Sequence, residues 1–78
     1  MSTLVTAVLT RMAEVLRRPL DSINYDSELA VIAPDSFVLV EMVIELQDEF
    51  GVRFDHADMS NLRTVRDVIA LVERRLAV

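Results

Sequence analysis

The sequence predicts an all-α protein: a small four-helix bundle of three long helices and one short helix, with a long loop between the first and second helices. Three observations carry that reading. Apolar residues recur at helical spacing in three separate stretches, and each stretch is bounded by capping or breaking residues. Nowhere is a period-two alternation sustained long enough for a strand. At 78 residues and 53% hydrophobic content, the chain is one domain, 1–78, with a dense single core.

The first helix is expected over residues 3–18. Val5, Val8, Leu9, Met12, Val15 and Leu16 form its apolar stripe. Ser2 or Thr3 can cap its start, Arg17 and Arg18 suit its C-terminal dipole, and Pro19 stops it. Residues 19–35 read as irregular, being rich in turn formers such as Asp21, Ser22, Asn24 and Pro34. Leu20, Ile23, Tyr25, Leu29, Val31 and Ile32 are expected to pin that loop to the bundle. Loops of this length in compact domains are uncommon and often functional.

The second helix is expected over 36–50, capped by Asp35 or Ser36 and ended by Gly51, the chain's only glycine. Residues 52–55 form an extended link, and Asp55 starts one or two helical turns over 56–61, with Met59 filling the core beneath. The last helix is expected over 65–77. Thr64 and Asp67 have the spacing of a capping box, and Val65, Val68, Ile69, Val72 and Leu76 supply its buried stripe.

Composition excludes several function classes. Without Cys there is no disulfide framework, zinc-thiolate site or Cys nucleophile. One Gly cannot build a glycine-rich phosphate loop. Thirteen acidic residues against eight basic ones give a net charge of −5. Such a chain is a poor binder of nucleic acid and is repelled by anionic membranes, so its expected partners are proteins with basic surfaces. No membrane-length apolar run and no signal-like n-region is present, and the expected setting is cytoplasmic. The lone His56, beside Asp55 and Asp58, is a weak metal set and reads as a solvated residue.

The second helix is wider in apolar residues than one core contact requires. At 100° per residue, Leu39, Met42, Val43, Leu46 and Phe50 gather within about 100° of arc, the core face. Glu41, Glu45 and Asp48 lie on the outer face, bordered by Phe37, Val38 and Ile44. Two readings stay open. Either Phe37 and Ile44 pack under the long loop and the acids are simply solvated, or acids and apolar residues together form an interaction surface. Ser36 heads the same helix, where the macrodipole favours an anion, although a Ser there also serves as an ordinary N-cap.

The segment Asp35-Ser36-Phe37-Val38-Leu39-Val40-Glu41-Met42-Val43 resembles the Asp-Ser-Leu signature of acyl carrier and peptidyl carrier proteins. The resemblance extends over essentially the whole chain, through the acidic Glu45-Leu46-Gln47-Asp48-Glu49-Phe50 and the Thr64-Val65 start of the last helix. It implies that Ser36 receives 4′-phosphopantetheine from coenzyme A, with Asp35 as the adjacent recognition residue. It implies a partner surface of Phe37, Val38, Glu41, Ile44, Glu45 and Asp48. The implied partners are a phosphopantetheinyl transferase, an acyl- or aminoacyl-loading enzyme, and synthases or transferases with basic docking patches. The implied protein is a monomeric carrier with no catalysis of its own.

Departures from the family pattern bear on the pathway. Ala33-Pro34 stands where a Gly commonly precedes the serine, Phe37 replaces the commoner Leu, and Val38 is apolar where carriers of primary fatty acid synthesis are often acidic. These favour a polyketide, specialised fatty acid or other secondary-metabolite pathway. An aminoacyl (peptidyl or D-alanyl) carrier, or an unmodified helical adaptor with the same fold, are the alternatives.

Overall fold

The computed structural model describes residues 3–77, so Ser2 as a helix cap lies outside the described residues. The order of elements is α1 (Thr3–Leu16), a 3₁₀ turn (Leu20–Ser22), α2 (Leu29–Ile32), α3 (Ser36–Phe50), α4 (His56–Ser60) and α5 (Val65–Leu76). Three long helices and the short α4 stand as expected, and the long connection carries one further helical turn, α2. Glu28 and Thr64 make an isolated antiparallel bridge, and no strand occurs among the described residues.

The core forms where the helical stripes meet. Val5, Val8 and Met12 of α1, Met42, Val43 and Leu46 of α3, and Val65, Val68, Ile69 and Val72 of α5 are all buried. Leu39 and Phe50 are half-buried against the same cluster, as is Met59 of α4. α1 packs along α3, and this pairing sets the height and rotation at which α3 presents its outer face.

Four expectations need correction. α1 stops at Leu16, two residues early. Arg18 N–H reaches back to the Ala13 carbonyl (3.0 Å) and Arg17 N–H to Glu14 (3.3 Å), the closure of a Schellman motif, with Arg17 at φ 55°. Pro19 explains why: it disfavours helical backbone at Arg18. Residues 19–35 are not all irregular, since Leu29, Ile32 and Ala33 pull one helical turn onto the core.

Within that connection Ile23, Leu29 and Ile32 are pinned, but Leu20, Tyr25 and Val31 are exposed. Val31 lies 100–200° around a single turn from Leu29 and Ile32, so burying those two turns it outward. Tyr25 instead lies under the Arg66 guanidinium, 5.1 Å from its ring centre. Finally, Leu76 is exposed on the last turn of α5, and Leu71, absent from the expected stripe, is buried.

Candidate functional site

The site grows from the junction of α2 and α3. Pro34 keeps the preceding residue out of helix, and Asp35, extended at φ −86°, ψ 118°, caps α3. Its Oδ1 accepts the Phe37 N–H at 2.9 Å. The cap is therefore Asp35, and Ser36 becomes the first residue of a 15-residue helix, exposed to solvent. Its hydroxyl stands at the positive end of the α3 dipole, which stabilises an anionic ester at that oxygen.

Beside Ser36 opens a groove of about 590 Å³ between α2, the head of α3 and the segment leading into α5. Leu29, Ala33, Pro34, Leu39 and Leu62 give it apolar walls, and Arg63 also lines it. Two backbone bonds hold its sides in register: Leu29 N–H to the Arg63 carbonyl (2.9 Å) and Val65 N–H to the Ser27 carbonyl (3.0 Å). A long, mostly apolar ligand tethered at Ser36 would find carbon-lined space immediately next to its anchor.

Down α3, the residues expected on the outer face differ in exposure. Phe37 is 73% exposed and Ile44 50%, so neither packs under the long connection. Val38 is only half-buried, and Glu41 and Asp48 are exposed. Val40, absent from the expected partner surface, is 49% exposed and completes a Phe37–Val40–Ile44 stripe. Its spacing of three residues from Phe37 and four from Ile44 was the available signal. Glu45 differs from its neighbours, because Arg11 Nη2 of α1 donates to its Oε2 at 2.7 Å.

His56 is exposed in the first turn of α4, where Asp55 and Asp58 form a reciprocal capping box. Asp58 also accepts from Arg75, which ties α4 to α5. The bond from the Asp55 N–H, foremost, and then the one from Arg75 hold the Asp58 carboxyl below its ordinary range. No group of three potential metal ligands occurs among the described residues. No helix among them is long and apolar enough to cross a membrane.

Comparison with known proteins bears on this geometry. The family model described as "Phosphopantetheine attachment site" matches residues 6–72. An acyl carrier protein of Thermotoga maritima is 38% identical over 45 residues, 58% of this chain and 56% of the relative. Acyl carrier protein 3, chloroplastic, of Cuphea lanceolata is 31% identical over 71 residues, 85% of this chain and 50% of the relative. A meromycolate extension acyl carrier protein of Mycobacterium tuberculosis is 38% identical over 40 residues, 51% of this chain and 35% of the relative. The matched stretch thus spans about half or less of these relatives' lengths.

In fold, the crystal structure of an acyl carrier protein from Thermotoga maritima aligns with a TM-score of 0.78 at 23% identity, over 95% of this chain and 87% of that one. Members of the matched family carry 4′-phosphopantetheine covalently. The residues here fit such a group: an exposed hydroxyl on a dipole-favoured helix start, and an apolar groove beside it.

Proposed function

The chain belongs to the phosphopantetheine attachment-site family, and from that premise we propose that it is an acyl carrier protein modified at Ser36. When bound, the group supplies a terminal thiol on which acyl groups ride as thioesters. The protein's own part is attachment, presentation and docking. The observation that carries this reading is Ser36 itself: an exposed serine at the head of α3, next to the apolar groove.

Attachment follows from ordinary chemistry. Ser36 Oγ forms a bond to the phosphorus of coenzyme A that bears the pantetheine arm, and the pyrophosphate linkage breaks, releasing the nucleotide. The hydroxyl proton passes to a base of the transferase, since Ser36 needs an adjacent base to act as a nucleophile and α3 supplies only the dipole. The α3 dipole then favours the resulting phosphodiester anion at the same oxygen. The groove offers carbon-lined space to the arm or to an acyl chain.

Docking is assigned to the outer face of α3. Phe37, Val38 and Ile44 offer a small apolar contact, with Glu41 and Asp48 beside it as carboxylates for basic partner surfaces; Glu45, expected on the same surface, is already bonded to Arg11. Asp35 adds a carboxylate next to the attachment oxygen, in addition to its capping role. The proposed partners are a phosphopantetheinyl transferase, an acyl-loading enzyme and synthase or transferase enzymes, met by a monomeric carrier. The apolar Val38 and the modest net charge of −5 support a polyketide, specialised fatty acid or other secondary-metabolite pathway. A relative named for meromycolate extension adds support. An aminoacyl carrier is the second reading, favoured by Phe37 in the Asp-Ser-Phe segment.

Intact mass before and after incubation with coenzyme A and a broad-specificity phosphopantetheinyl transferase tests the assignment. Wild type should gain one phosphopantetheine and Ser36→Ala none. A gain in Ser36→Ala would move the site elsewhere, and no gain in folded wild type would favour an unmodified adaptor. Offering acyl and aminoacyl donors to the modified protein then separates the two carrier readings.

A further inference from the structure

The acidic row on α3 is not uniformly available to a partner. Arg11 reaches across from α1, and its Nη2 lies 2.7 Å from Glu45 Oε2. The same guanidinium places Nε 3.6 Å from Glu49 and Nη1 3.6 Å from Glu14. It is thus the hub of a three-carboxylate network, with its side chain about one-third exposed. Ala7, Thr10 and Phe50 line the dent it occupies between α1 and α3. Burial works against its charge, but Glu45 and then Glu49 outweigh that cost and raise its pKa, so it remains a cation at every accessible pH.

Glu41 and Asp48 differ. Both are exposed, and neither forms an ion pair among the described residues. Seven residues apart, they lie within about 20° of the same bearing and about 10 Å apart along the helix. Ile44, half-exposed, sits between them.

We propose that Arg11 sets partner specificity by holding Glu45 and Glu49 back from docking, leaving Glu41 and Asp48 as the two working charges. The partner this face fits is a protein surface with two cationic side chains about 10 Å apart and an apolar contact for Ile44 between them. A partner built for a continuous acidic row would have to displace Arg11 from three carboxylates first. Arg11 is here a positioning residue that acts through Glu45 and Glu49, and the inference rests on α3 being the docking face.

The test is the association rate of the full chain with a broad-specificity phosphopantetheinyl transferase, measured from low salt to 0.5 M. Charges at an interface rim act chiefly on the association rate and its salt dependence. Arg11→Gln should associate about threefold or more faster at low salt, with a steeper salt dependence and a gain that fades at 0.5 M. Arg74→Gln makes the same charge change on the exposed end of α5 and should give clearly less. Arg11→Lys keeps the charge but not the planar fork, and should fall between wild type and Arg11→Gln. It also decides the question if Arg11→Gln fails to fold. Glu41→Gln and Asp48→Asn should each slow wild type. If they do, while Arg11→Gln is no faster than Arg74→Gln, or Arg11→Lys no faster than wild type where the Gln variant does not fold, the role of Arg11 is overturned. If neither slows wild type, the docking assignment of α3 is wrong and the role of Arg11 falls with it.

Discussion

Arg17 occupies the left-handed region at φ 55°, where an L side chain is strained and Gly is the usual occupant. It forms no ion pair among the described residues, so little is lost by removing its side chain. Arg17→Gly should therefore stabilise the protein, by about 0.5–1 kcal/mol, read as a higher urea midpoint at unchanged slope. A lower midpoint would mean that its charge, in the dent shared with Glu14, Glu41 and Glu45, matters more than its backbone. Gly51 shows the same requirement met by the expected residue. It sits at φ 64° with open space around a Cβ, and the Val52 N–H bonds to the Gln47 carbonyl (3.1 Å). Only one of these two αL positions was visible in the sequence, because Gly advertises it and Arg does not.

At the scale of elements, the helix starts were the most legible feature. Thr64 and Asp67 form the capping box their spacing predicts: Thr64 Oγ1 accepts from Asp67 N–H, and Asp67 Oδ2 accepts from Thr64 N–H at 3.1 Å. The Arg63 N–H donates to the same oxygen at 3.0 Å. These bonds, the one to Thr64 foremost, hold the Asp67 carboxyl below its ordinary range. The folded-state pKa is thus lower than the unfolded one. The resulting stability is full above the ordinary Asp value of about 3.9 and is lost as pH falls through the lowered folded value. Thermal melts from pH 7 down to pH 2.5 should show this acid loss, and Asp67→Asn should flatten it while lowering stability at neutral pH by roughly 1 kcal/mol. A melt series with an unchanged acid limb in Asp67→Asn would assign the loss to other carboxylates, such as Asp58. The end of α1 and the turn of α2 were harder to read, since a single helical turn gives no periodicity and Pro19 acts through its neighbour.

Over the whole molecule, a Cα radius of gyration of 11.3 Å leaves room for one core, shared by α1, α3 and α5. Leu46 lies fully buried at its centre. A 78-residue domain has a total stability of about 4–12 kcal/mol. Leu46→Ala should cost about 2–4 kcal/mol of it and lower Tm by about 10–25 °C in calorimetry. Phe37→Ala, on the exposed face, should stay within about 0.5 kcal/mol of wild type. A large loss in Phe37→Ala would mean that this ring supports the fold and not a partner contact. The contrast separates the two faces of α3, one building the bundle and the other presented to the outside.

The sequence by itself determined the helical class, the bounds of α3 and its Asp35, Ser36 and Gly51 landmarks, the α5 capping box and the family resemblance. Each of these is a local or periodic property of the chain, written in spacing and in residues with special backbone needs. Tertiary structure alone decided which apolar residues stay out of the core. Phe37 and Val40 are left outside because α1 and α5 cover only one side of α3, and Leu76 because the last turn of α5 runs past the core. It alone formed the groove beside Ser36, whose walls come from segments more than 20 residues apart. It also divided the acidic row, because Arg11 and Glu45 are 34 residues apart and meet only when α1 packs on α3. Long-range pairing of this kind leaves no period in a single sequence, and it is the part of the acidic face of α3 that charge counting could not see.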